Sequence, residues 1–344
     1  MLDEKKDGRP FRAVFIVLGV LVVWKIVATI FNGASVFYAL DDAVFSFGVF
    51  CFFYVISGRA LLRDVIKVLC LAGIITFFIV VFEYSISHPL HYGLVNSALF
   101  EEDALVGKVR DGVYRVQGVF DNPLSLAEFL VYLSPVFAYR IAIGKGVVRG
   151  AFVFWMLLLI LSLWMTGSRG GILVFSAGIC AFTLFYGWSG FTRYTRTFLA
   201  FLIFSFFVAA VFSVYGFIYE LGLKAQTVSF VRFDETERST YSRALQYFEV
   251  FSLLQERPIF GLGVHQNFAK GFEEIHRIDN FYLRVGLEGG VVGILLFISF
   301  LVVLFKRLYR QGRVCVDGEG RAFFSLSLSL VLVFAMMKLF LSMP

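Results

Sequence analysis

GAFVFWMLLLILSLWMTGSRGGILVFSAGICAFTLFYG, residues 150–187, decides what kind of chain this is. Two apolar runs, 150–166 and 170–187, flank a short break that carries Gly167, Ser168, Arg169, Gly170 and Gly171. Each run approaches the roughly 20 residues a helix needs to cross a bilayer core. Neither contains an Asp, Glu, Lys or Arg. The stretch therefore reads as a membrane-spanning helical hairpin, with glycines permitting a tight reversal. A cation set between two such runs is costly unless it faces water or meets an anion, which makes Arg169 a functional candidate. Ser168 and the backbone N–H groups freed at the break are natural companions for holding a phosphate-like anion. A snorkelling arginine at the membrane interface accounts for the same residues without a ligand.

The rest of the chain fits a membrane setting. It is 59% hydrophobic and 16% charged, with a mean hydropathy of +0.82, whereas soluble domains carry about 25% charged residues. A soluble globular protein is excluded, and the 44 Phe and 31 Gly suit lipid-facing surface and close helix packing. Cys51, Cys70, Cys180 and Cys315 form no CxxC, so neither a disulfide framework nor a zinc site is expected. The first apolar run lacks a small-residue cleavage site, so no cleavable signal peptide is expected.

Nine runs are long and apolar enough to span: 13–31, 36–57, 64–83, 124–143, 150–166, 170–187, 197–219, 288–305 and 322–341. The second includes Asp41 and Asp42. The expected fold is an all-α polytopic membrane helical bundle, 1–344 forming a single integral membrane domain. With the N-terminus inside, 17 Lys and Arg fall in short cytoplasmic loops, from Lys5 through Arg140, Lys145 and Arg149 to Arg321. The outer side receives 12, of which eight lie in one long loop rich in Asp and Glu. Long loops obey the positive-inside rule poorly, so N-inside and C-outside is the consistent orientation. It accounts for most of the net charge of +6 without a nucleic-acid partner. It also makes 220–287 a large extracytoplasmic loop on the same face as Arg169. Lys25, Asp41, Asp42 and Lys338 form no relay legible in the sequence, and no inverted repeat of broken helices points to a transporter.

Polar motifs gather in two further places. Arg115 to Pro123, RVQGVFDNP, is a turn-rich entry into a membrane helix, where Asn122-Pro123 reads equally as an ordinary helix cap. Upstream, His88 and His91 are too poorly placed around Pro89 to hold a metal. In the long loop, Ala244, Leu245, Phe248, Phe251 and Leu254 form an apolar stripe that predicts an amphipathic helix over 239–256. Arg243 sits near its N-terminus, where the helix dipole disfavours a cation and an anionic partner is the natural compensation. PIFGLGVHQNF (258–268) is a glycine turn without the setting of a dinucleotide site. His276, Arg277, Asp279, Asn280, Arg284 and Glu288 then crowd the entry to the next membrane run, either as interfacial polarity or as groups of a transfer site.

These pieces together resemble the O-antigen ligase and polymerase superfamily of bacterial membrane glycosyltransferases. The resemblance covers about 115–300 in four segments: R-x-x-G-x-F-x-N-P at Arg115–Pro123, S-R-G-G at Ser168–Gly171, Arg243 followed by Pro258–Gly263, and the stretch from Asp279-Asn280 to Glu288 and its glycines. It implies transfer of a glycan from a polyprenyl-diphosphate-linked donor to an acceptor, either another repeat unit (polymerase) or lipid A-core oligosaccharide (O-antigen ligase proper). It implies a multi-pass protein of the bacterial inner (cytoplasmic) membrane, no cofactor and no metal. Arg169, Arg243 and Arg115 would hold the diphosphate, with Ser168, Asn280 and Glu288 also substrate-binding. Where the family has His-Asn, this chain has Asp279-Asn280, so the acceptor's base would be Asp279, or His276 three positions earlier. A polytopic transporter without enzymatic activity is the competing class.

Overall fold

The computed structural model describes residues 12–33, 36–37, 39–40, 44, 59–90, 108–110, 113–120, 122–187, 250–264, 281–315 and 318–340. Seven helices dominate: α1 (Arg12–Phe31), α2 (Arg59–Ile86), α3 (Pro123–Ile143), α4 (Gly146–Met165), α5 (Arg169–Tyr186), α6 (Phe281–Val314) and α7 (Gly318–Phe340). All seven are long and apolar enough to cross a membrane. The protein is thus an all-α polytopic membrane bundle, and seven of the nine expected runs are helices. Runs 36–57 and 197–219 lie wholly or largely outside the described residues, as does most of the 220–287 loop.

Lipid-facing surface is written in the exposed side chains. Val68, Leu71, Ile75, Phe78 and Phe82 recur on one face of α2. Phe154, Leu157, Leu161 and Trp164 do so on α4, and Val291, Leu295, Ile298 and Val302 on α6. Apolar stripes at helical spacing that water would penalise are what a hydrocarbon solvent favours.

The described residues belong to two compact units, one built from 1–65 and 239–314 and the other from 66–238 and 315–341. In the second, α3 is the most enclosed helix. It starts on Asn122, whose side chain accepts from Leu124 N, and on Pro123, whose missing N–H costs nothing in the first turn. Pro135 lies inside it, and a proline there strips Val131 of its helical donor; Ser134 Oγ donates to Val131 O at 2.8 Å instead. α5 runs parallel to α3 at close range. A Cβ on Gly171 would lie 3.3 Å from Ala127 Cβ, and one on Gly178 would lie 2.5 Å from Ser134 Oγ. Gly178 also admits Val333 of α7. Small residues here let helices approach where lipid supplies no hydrophobic drive between them. Lys338, near the end of α7, reaches Glu128 of α3 at 2.9 Å. Ahead of α3, β1 (Lys108–Arg110) and β2 (Val113–Arg115) form a short antiparallel ribbon, with Val109 opposite Tyr114.

In the first unit α1 packs on the start of α6 and on the loop 258–264. Phe260 stacks on both Trp24 and Phe31, at 5.0 and 4.4 Å between ring centroids. Trp24 Nε1 donates to Gly289 O at 2.8 Å, and Asn32 Nδ2 to Gly261 O at 3.0 Å. Helix α6 is broken at Gly290, with φ 66° and ψ −166°.

Candidate functional site

The hairpin between α4 and α5 closes on itself before it touches anything else. Thr166 Oγ1 donates to Leu163 O and accepts from Ser168 N, while Gly167 turns the chain with φ +65°. Ser168 then caps α5, its hydroxyl accepting from Gly171 N at 3.1 Å. Arg169 follows as the first residue of α5 and is exposed, whereas Ser168 is buried. A cation at a helix N-terminus faces the positive end of the dipole. The remaining N–H groups of that turn point out of the same helix end. An anion placed there answers both.

Arg115 comes to this hairpin from the end of β2. Its Nε donates to Thr166 O at 2.8 Å, and a Cβ on Gly167 would lie 3.1 Å from that same Nε. One residue later, Val116 N donates to Met165 O at 3.2 Å. The segment between β2 and α3 is thus sewn onto the α4–α5 turn. The parallel packing of α3 and α5 brings their N-terminal ends to this same end of the unit, so two positive dipole ends and two arginines, Arg115 and Arg169, share it.

Behind the turn stands a side chain that the motif reading missed. Glu83 of α2 is fully buried, and its carboxylate accepts from Gln117 N at 2.9 Å, Gly118 N at 2.7 Å and Tyr114 Oη at 2.8 Å. Phe120 N donates to Gln117 O, closing a tight turn in which Gly118 has φ +63°. Burial, then the hydrogen bond to Glu83 and the charge of that carboxylate, push the Tyr114 phenol well above its ordinary range. It therefore stays protonated as a donor. The sequence signal was a lone acid near the end of an apolar run, 34 residues from its partner Gln117.

The first unit holds the other described candidate. Glu288 is 3% exposed, and its two oxygens are divided between cations: Lys25 Nζ at 3.1 Å and Arg284 Nε at 2.8 Å. Lys25 and Lys338, which formed no legible relay in the sequence, are therefore each paired with a glutamate. The two glycine motifs nearby interlock. Leu262 N donates to Leu287 O at 2.5 Å and Val291 N to Pro258 O at 2.8 Å. A Cβ on Gly261 would run into Leu287 O, and one on Gly290 into the Ile259 carbonyl. The P-x-x-G-x-G turn is thus seated in the gap that the Gly290 break opens. Val264 N completes the seat by donating to Thr29 Oγ1.

Of the residues singled out from sequence, the structure joins Arg115 to the hairpin of Ser168 and Arg169, and sets Glu288 between Lys25 and Arg284. Arg243, His276, Asp279 and Asn280 lie outside the described residues, and of the helix expected over 239–256 the described part, 250–256, is helical.

The seven apolar helices make this a multi-pass membrane protein, with buried acids, paired intramembrane cations and an arginine at a helix N-terminus. A family model described as O-antigen ligase matches residues 154–298, which takes in the Ser168–Gly171 hairpin, the Pro258–Gly263 turn and Glu288. Over this region the chain is similar to the O-antigen ligase family. That similarity supports a glycosyltransferase-like role on glycan-linked substrates in a membrane. No curated protein matches the chain.

Proposed function

We propose that the protein transfers a glycan from a polyprenyl diphosphate to an acceptor sugar, a repeat unit or lipid A-core, at the outer face of the bacterial inner membrane. The acceptor hydroxyl attacks the anomeric carbon as the bond to the diphosphate oxygen breaks. The diphosphate leaves with the electron pair, and the hydroxyl proton passes to Asp279 or His276. Arg169 and Arg115, with Arg243, hold the leaving diphosphate; Ser168 fixes the turn that presents Arg169. Asn280 binds on the acceptor side, and Glu288 orients Arg284 there. The observation that carries this reading is the bond from Arg115 Nε to Thr166 O, which sets the arginine of one motif against the hairpin of the next. A leaving diphosphate develops charge in the transition state, where fixed cationic donors in a dry site act most strongly.

Loss of one such donor costs about 2.7–4 kcal/mol, or on the order of 100- to 1,000-fold in kcat. Arg169→Ala in membranes supplied with a polyprenyl-diphosphate glycan is expected to fall by that factor. Transfer at the wild-type rate would remove the diphosphate assignment. In the same assay, Asp279→Asn with normal turnover beside an inactive His276→Ala gives the base to the histidine, and the reverse gives it to the aspartate. Surface glycan of a deletion strain separates the acceptors: single repeat units left on lipid A mean a polymerase, and no attached glycan means a ligase.

A further inference from the structure

We infer that Glu83 is a positioning residue for the diphosphate-binding arginines, acting through the turn 114–118; the inference rests on the function proposed above. Glu83 lies three residues before the C-terminal boundary of α2 at Ile86, beside the negative end of the helix dipole, where an acid is poorly placed for helix stability. It is also fully buried, and an unpaired buried carboxylate is strongly disfavoured. Three donors to it come from one segment: the N–H groups of Gln117 and Gly118 and the hydroxyl of Tyr114. Three donors from one five-residue stretch leave that stretch little freedom to shift.

Arg115 lies inside it. Tyr114 and Gln117, on either side of Arg115, are both tied to Glu83, while Arg115 and Val116 are tied to Thr166 and Met165 of the hairpin. The carboxylate therefore fixes the turn from behind as the hairpin fixes it from in front. Gly118, at φ +63°, supplies the backbone conformation that aims consecutive N–H groups at one carboxylate. Glu83 touches no substrate in this scheme. It sets where the Arg115 guanidinium stands relative to Ser168 and Arg169.

Glu83→Gln keeps the shape but replaces one accepting oxygen with an NH2, which then faces either Gly118 N or the pair of Gln117 N and Tyr114 Oη, whereas Tyr114→Phe removes a single bond from the edge of the cluster and disturbs the fold less. Three measurements on the full chain in nanodiscs test the inference: amide exchange over 113–120, affinity for a polyprenyl diphosphate, and transfer kinetics. Glu83→Gln is expected to raise exchange at Gln117 and Gly118. It should weaken polyprenyl diphosphate binding at least tenfold and raise the donor KM more than it changes the acceptor KM. Tyr114→Phe should move the same quantities by a few-fold, and Glu83→Asp should restore part of the loss. Unchanged exchange in both Glu83→Gln and Tyr114→Phe overturns the anchoring. Raised exchange with wild-type polyprenyl diphosphate affinity overturns the positioning role while Arg169→Ala still loses binding. If Arg169→Ala also binds as wild type, the diphosphate reading itself has failed, and the positioning role with it.

Discussion

Arg115 and Arg169 meet the same hairpin with opposite commitments. Arg115 spends its Nε on Thr166 O, which orients the planar fork, whereas Arg169 starts a helix and faces outward. A lysine at 115 can reach one acceptor but cannot hold a fork in one plane while doing so. Hydrogen bonds to charged groups contribute about 1.5–3 kcal/mol. Arg115→Lys is therefore expected to fold normally and to lose roughly 10- to 100-fold in donor kcat/KM, read in a transfer assay. Ser168 separates two further effects. Ser168→Ala removes the cap on Gly171 N and should lower stability by about 1 kcal/mol in detergent unfolding. Ser168→Asp keeps an N-cap acceptor but sets a negative charge beside Arg169. Its stability should stay near wild type while donor binding falls; a parallel loss of both would mean the serine serves the fold alone.

Among the elements, α6 depends on one residue more than on its length. Gly290 breaks it with φ 66°, and the turn 258–263 fills the break through Val291 N to Pro258 O and Leu262 N to Leu287 O. A side chain at Gly290 is strained by its φ and collides with the Ile259 carbonyl, so nothing flexible can yield. Gly290→Ala should cost about 1–3 kcal/mol from strain alone, with the collision added. Gly150→Ala, in open space, should be neutral or slightly stabilising in the same thermal unfolding experiment. The sequence made this helix legible only in part. An apolar run of 288–305 marked the span, but the described helix runs from Phe281 to Val314, and continuous hydropathy hides a glycine whose conformation interrupts it. The SRGG hairpin was legible because an arginine between apolar runs is conspicuous and glycines mark reversals. Glu83 was not, since its meaning lies in N–H groups more than 30 residues away. Lys25 and Lys338 looked solitary for the same reason: their glutamates are 263 and 210 positions distant in the chain.

At the scale of the whole molecule, the second unit has two ends of different chemistry, and that difference makes its orientation testable. At the C-terminal end of α3, Arg149 donates to Gly144 O and Ala142 O, and the Arg140 guanidinium lies over the Phe152 ring. Arg149 satisfies orphan carbonyls of a helix terminus, and both arginines flank the short loop that carries Lys145, so topology and capping account for this end without a ligand. At the opposite end, Arg115 and Arg169 stand beside two helix N-termini, where neither the dipole nor the positive-inside rule favours a cation. The anionic substrate proposed above would meet cations at that face. The orientation proposed from the Lys and Arg distribution, N-inside, therefore makes a definite labelling pattern. Val119 and Lys145 are both exposed, Val119 in the turn beside Arg115 and Lys145 in the loop between α3 and α4. In a background lacking Cys51, Cys70, Cys180 and Cys315, Val119→Cys should react with a membrane-impermeant maleimide in intact spheroplasts. Lys145→Cys should react only after the membrane is opened. The reverse pattern would place the arginine end in the cytoplasm and remove the outer-face reaction. The predicted pattern puts Arg115 and Arg169 on the side where the proposed reaction takes its lipid-linked glycan.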